Sequence, residues 1–257
     1  MIAFVALCKK EFLESWRTYR LWIMLAVFVF FGILSPATAK LLPELLNGVD
    51  MGGGQVLNLP DPTAMDSWAQ FFKNISQMGA LVLIIVFCGL MANELSKGTL
   101  VNVLTKGAPR PAVVLAKFVV AGFLWTVSYL LSLGVTYLYN SYFWGVTPLP
   151  NAFLAFACLW LFGLLLIALM ILGGLLTRSI AGALVAVAVV VVGLNIVNIA
   201  PHAARFNPIS LATNALGLLS GDAVPGDIWP AFGIAAASVI ALVVASLVVF
   251  DKKQMVV

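Results

Sequence analysis

The side chains that most often carry chemistry are sparse in this chain and poorly spaced for it. His202 is the only histidine, and no Cys, Asp or Glu stands at metal-ligand spacing beside it. Cys8, Cys88 and Cys158 form an odd set of three, which argues for small apolar filler rather than a disulfide framework or redox chemistry. The phosphate-cradling pattern Gly-x-x-x-x-Gly-Lys-Ser/Thr does not occur. Asn74-Ile75-Ser76 spells a glycosylation acceptor, but it abuts an apolar run and is read as chance. No catalytic group, metal set or directly bound cofactor is expected. Energy for uphill work must then come from a partner.

The remaining polar candidates are amides, hydroxyls and one charged loop. Asn195 and Asn198 lie three residues apart at the end of a valine-rich run, so both fall on one helix face. Lipid penalises amides, so they should line a pathway or bond to a neighbouring helix. Ser76 and Gln77 are weaker candidates of the same kind. The segment 94–117 carries Glu94, Lys97, Gly98, Thr99, Leu104 and Arg110 and ends at Lys117. Within it, Gly98 and Gly107 bracket a short turn that Thr99 can cap and that Gly107 and Pro109 stop. The turn presents Leu100, Val103 and Leu104, an apolar face that either lies on the bilayer or is covered by a partner.

These residues must be positioned by membrane helices. The chain has 257 residues, 63% hydrophobic and 9% charged, with a mean hydropathy of +1.09. Soluble domains carry roughly 25% charged residues, so a soluble enzyme, a disordered chain and a nucleic-acid binder are excluded. Six stretches reach the roughly 20 apolar residues that a 30 Å hydrocarbon core demands, at 21–39, 75–93, 118–143, 152–177, 180–200 and 228–250. None alternates as a membrane strand does. The first is too long, and lacks a cleavage site, for a signal peptide, and is read as a mature helix. The expectation is a single all-α membrane domain over residues 1–257.

An even number of spans puts both termini on one side. Placing them in the cytoplasm gathers Lys9, Lys10, Arg17, Arg20, Lys97, Lys106, Arg110, Lys117, Arg178, Lys252 and Lys253 inside, 11 of the 14 basic residues. Outside remain Lys40, Lys73 and Arg205. Residues 2–20 repeat Phe4, Leu7, Cys8, Phe12, Trp16 and Tyr19 at three- and four-residue steps, an amphipathic helix in the inner interface. An outer loop is expected at 41–73, with Trp68, Phe71 and Phe72 in the headgroup layer and its acids in solvent. A further outer segment, 201–228, holds about 12 mildly apolar residues after Pro208, read as a short re-entrant or interfacial helix.

No ionisable side chain falls inside the six apolar cores, which weakens a proton-coupled carrier, a pump with its own relay or a voltage sensor. Two other classes stay open. One is a carrier or channel without an ATPase, which predicts a polar constellation at the midplane. The other is a membrane scaffold for an immunity or sensor complex, which predicts no nucleotide dependence.

The amphipathic N-terminal helix, six spans, Glu94-x-x-x-Gly98-Thr99, Pro109-Arg110 leading to Lys117, and Asn207-Pro208 before span six together resemble the permease subunits of type-2 ABC transporters. The likeness extends over nearly the whole chain, and its most specific part is 94–117. It implies an ATP-driven exporter in a bacterial plasma membrane. The permease would pair with a second half, a homodimer in preference to a heterodimer, and dock a separate ATPase that holds ATP and Mg. Segment 94–117 would then be the coupling loop, with Glu94, Lys97, Gly98, Thr99, Leu104 and Arg110 contacting or orienting against the ATPase. The path would run along spans two and five, with Asn195, Asn198, Ser76 and Gln77 as lining candidates and 201–228 as an outer gate. Its Val, Leu, Phe and amide lining suits a hydrophobic or amphipathic cargo.

Overall fold

The computed structural model of the chain describes residues 2–46, 60–100, 105 and 107–252. Among them, helix α1 spans Ile2–Arg17 and α2 Arg20–Leu46. The second membrane segment is built from α3 (Ala64–Asn74), a π-turn (Ile75–Gly79), α4 (Ala80–Phe87) and α5 (Gly89–Ser96). Three long helices follow, α6 (Arg110–Trp144), α7 (Ala152–Thr177) and α8 (Ile180–Val197). Short helices α9 (Pro201–Ala204), α10 (Ser210–Thr213) and α11 (Ala215–Ser220) precede the last one, α12 (Pro225–Lys252). Six helical segments among the described residues are long and apolar enough to cross a bilayer, and the protein is a multi-pass membrane protein. The segment 201–228, where one short helix is expected after Pro208, holds three short pieces. Asn207 and Pro208 separate the first from the second.

Spans one, two, three and six outrun the apolar stretches that announce them. Span two starts at Ala64 rather than near residue 75, because Thr63 and Asp66 form a reciprocal capping box that begins a helix well before the apolar run. The expected outer loop at 41–73 is therefore helical at both ends, through Leu46 and from Ala64. Its aromatic residues are not in a headgroup layer. Trp68, Phe71 and Phe72 are buried, packed on Phe156 of α7 with ring centroids 5.1 to 6.2 Å apart. The α3 face that carries them points inward and extends the core beyond the apolar stretch.

Helix α7 is the hub. In its most apolar 18-residue window 78% of residues are buried, against 11% in α8 and 17% in α12. Lipid offers no hydrophobic drive for helices to associate, so close packing and interhelical hydrogen bonds decide the arrangement. Gly163 of α7 lies against the Trp125 ring of α6, and a Cβ there would come within 2.2 Å of Trp125 Cε2. That close approach lets Trp125 Nε1 donate to Trp160 O at 2.9 Å, while Trp160 Nε1 donates to Thr126 Oγ1 at 2.9 Å and Tyr129 Oη to Phe156 O at 3.0 Å. Helix α2 also packs on α6, where Phe28 meets the Trp125 ring at 5.4 Å between centroids. Pro36 has no amide to give the carbonyl of Gly32 one turn earlier. The Thr136 hydroxyl of α6 lies 3.0 Å from that carbonyl and 3.0 Å from Ser132 O of its own helix, so its one proton is shared between the two.

Candidate functional site

Four elements meet at one end of the bundle and bring six charged side chains together. On α1, Leu7, Glu11 and Ser15 fall four residues apart and are all buried, so the stripe facing the bundle carries a carboxylate among its packing residues. Glu94 comes from the last turn of α5, Lys117 from the first third of α6, and Arg20 from the start of α2. Lys117 Nζ lies 3.0 Å from both Glu11 carboxylate oxygens and 2.8 Å from Glu94 Oε2. Lys10 Nζ bonds to Glu94 Oε1 and lies 3.0 Å from Glu11 and 3.2 Å from Glu14. Arg20 completes the set at 3.7 Å from Glu14. Three cations face three anions. Lys117 is 1% exposed and Glu11 3%, so neither could be accommodated without the other.

Burial by itself would lower the pKa of the Lys10 ammonium. The hydrogen bond to Glu94 and the charges of Glu11 and Glu94 outweigh it and hold the group above the ordinary lysine range. Carboxylate oxygens of Glu11, Glu14 and Glu94 lie within 4.8 Å of one another, the spacing of a cation site. Lys10 already bonds all three and Lys117 two of them, so ammonium groups supply the charge that a metal would bring.

The sequence-derived coupling candidates divide around this cluster. Glu94 is at its centre. Lys97, Gly98 and Thr99 are exposed just beyond it, on a turn where Gly98 takes φ +67°. The Thr99 hydroxyl donates back to Glu94 O at 3.4 Å, and the amides it is expected to cap lie outside the described residues. Leu100 is buried at 1% exposure rather than presented outward, because it turns into the core. Leu104 lies outside the described residues. Arg110 reaches across to α12 and donates to Phe250 O at 3.3 Å and Asp251 O at 2.6 Å, placing a cation at a helix C-terminus.

The apolar cores at 75–93 and 118–143 hold no charged side chain, but the helices run past them. Span two continues to Ser96 and span three begins at Arg110, so Glu94 and Lys117 both sit on spanning helices, each neutralised by the other and by α1. Sequence reading missed Lys10, Glu11 and Lys117 as a unit. The available signal was Glu11 in register with Leu7 and Ser15, a carboxylate on a stripe otherwise made of packing residues.

At the other end of the bundle, spans two and five and the short helices before α12 enclose a cleft of about 530 Å³. Ser76, Gln77 and Asn195 all line it, together with Lys73 and Thr213. Ser76 and Gln77 lie on the π-turn, where Ala80 N–H donates to Ile75 O five residues back, a local widening frequent at functional positions. Asn195 Nδ2 donates to Val191 O at 2.9 Å within its own helix. Asn198 is not brought into the cleft; it ends α8, half-buried, with its Oδ1 unpartnered. Asn207 is buried and ties the short helices to span five, donating to Leu194 O at 2.6 Å.

Residues 5–255 match the model of the family described as ABC-2 family transporter protein. The chain is also similar to the uncharacterized transmembrane protein YxlG of Bacillus subtilis (strain 168), with 22% identity over 141 residues. That match covers 54% of this chain and 54% of the relative, so the chain spans about half the length of the curated relative it matches.

Proposed function

The chain belongs to the ABC-2 transporter family and is a permease component of an ABC transporter, and from that premise we propose that it is one half of an exporter whose partner subunit hydrolyses ATP with Mg. It sits in the cell membrane with both termini in the cytoplasm, which the distribution of basic residues favours. Two halves, identical copies, form the path between them. Span five, the least enclosed of the six, supports a role in that pairing.

The observation that carries this reading is the Lys10–Glu11–Glu94–Lys117 cluster. It joins the base of the 94–117 segment to α1 and span three. An ATPase docked on the exposed turn at Lys97, Gly98 and Thr99 would push on Glu94. Because Glu94 is bonded to α1 and α6 at once, the displacement moves three elements together. Arg110 extends the connection to the end of span six. The cleft between spans two and five, with Ser76, Gln77 and Asn195 in its wall, is this half's share of the path.

Purification of the tagged chain from its native membrane tests the assignment. A soluble subunit bearing a Gly-x-x-x-x-Gly-Lys-Ser/Thr sequence is expected to co-purify. Leu104→Asp is expected to leave membrane insertion intact and abolish transport-stimulated ATP hydrolysis by the complex. Full stimulation in that variant would remove the 94–117 segment from its coupling role.

A further inference from the structure

The cleft between spans two and five is asymmetric in charge. Lys73, at the end of α3, is the one charged residue among its described lining residues, and no carboxylate among them accompanies it. Among the described residues no carboxylate oxygen lies within ion-pair distance of Lys73, although the chain places ion pairs at Lys10, Arg20, Lys117 and Arg205. Lys73 is exposed and lines the cleft. Ser76 and Gln77 follow on the same helix face, and Asn195 and Thr213 face them from α8 and α10. Deeper in, the wall is apolar and includes Ile84, Leu166 and Val191. Donors with a fixed positive charge therefore lie at one end of an apolar slot whose volume is that of a small-molecule site.

We infer that the cleft selects an amphiphile with a single apolar chain and an anionic head, a carboxylate or a phosphate, whose head bonds Lys73 and whose tail lies along Ile84, Leu166 and Val191. The inference rests on the reading of this cleft as the transport path and names the cargo class for it. The head gains a charge-assisted hydrogen bond from Lys73, with Ser76, Gln77 and Asn195 as neutral donors beside it. A cationic head meets the same lysine with like charge and loses that contact. The π-turn places Ser76 and Gln77 one turn below Lys73, so a head that moves inward exchanges a charged donor for neutral ones.

The test uses the full-length chain in nanodiscs of a zwitterionic phosphatidylcholine, which removes the surface potential of anionic lipid. Two fluorescent probes of equal chain length are titrated, dansyl-undecanoate and dansyl-undecylammonium. The unmodified protein is expected to bind the carboxylate about tenfold more tightly, and Lys73→Gln to erase that difference. Lys73→Arg should keep it, which a merely structural lysine would not require. Ala80→Phe narrows the cleft and should weaken binding of the carboxylate at unchanged fold, judged by elution as a monodisperse species. Equal binding of both probes, weakened alike by Ala80→Phe, would overturn the anionic preference and leave the cleft as the path. Binding of both probes that neither Lys73→Gln nor Ala80→Phe changes would place the probes in the lipid annulus, and the reading of the cleft as the path would fall with it.

Discussion

Lys117 is the residue on which the charge cluster turns. It bonds two carboxylates from two elements and is almost wholly removed from solvent. A buried pair of this kind is weak support for stability when compared with an apolar replacement of both partners. Removing one partner is a different matter, because the other charge stays behind. Lys117→Met is expected to lower unfolding stability in detergent by about 3–5 kcal/mol. Adding Glu11→Leu to it should recover part of the loss, since one stranded carboxylate goes. Equal melting temperatures for the single and double variants would show that Glu11 is not stranded. Lys10 sets the pH behaviour of the exposed side of the cluster. Its pKa is raised on folding, so its contribution is fully present below the ordinary lysine value and is lost only as pH climbs through the raised one. Stability from Lys10 is accordingly flat through neutral pH and declines only in strong alkali.

At the scale of elements, the contact between α2 and α6 shows a defect and its repair. Pro36 leaves the Gly32 carbonyl without its helical donor, and the Thr136 hydroxyl of α6 supplies a donor that it shares with Ser132 O. Thr136→Val should cost about 0.6–1.7 kcal/mol, the range of interhelical hydrogen bonds in membranes. In a Pro36→Ala background the restored amide takes over, and the same substitution should cost close to nothing. A double-mutant cycle on thermal unfolding reads the difference, and additivity of the two changes would disprove the repair. Pro36 and the run Ser128, Ser132, Thr136 and Asn140, each four residues apart and all buried, were visible in the sequence. Their partnership was not. Periodicity reports which face of a helix is polar and is silent on the element that faces it. Glu94 and Lys117 show the same gap: hydropathy put each just outside a span, and only the packing of α1 shows why helix and burial continue past them.

Across the whole molecule, enclosure is unevenly shared. Span four is wrapped by its neighbours, while spans five and six leave most of their surface outside the chain. The number and order of spans were legible from hydropathy and helix-ending residues, because the bilayer imposes length and internal hydrogen bonding on each span separately, whereas the outer segment reads as one short helix and forms three. The meeting of Ser76, Gln77 and Asn195 in one cleft depends on how spans two and five cross, which no single span encodes. Asn198 illustrates the limit. It shares a sequence face with Asn195, but it stands at the cap of α8, beyond Val197, and is not among the residues that line the cleft.

The repair of α2 by α6 also orders events during synthesis. Span one is made first and carries an unsatisfied carbonyl at Gly32, near its middle, until Thr136 has been translated and inserted more than one hundred residues later. Hydrocarbon would charge several kcal/mol for that bare group. Span one is therefore expected to linger beside the insertion machinery, released to lipid only once span three arrives. Site-specific crosslinking of stalled nascent chains should show span one next to the insertase when span three is still within the ribosome, and free of it once residue 144 has emerged. Early release in both cases would mean that water or another span satisfies Gly32 in the interim. In a Pro36→Ala chain the delay should vanish.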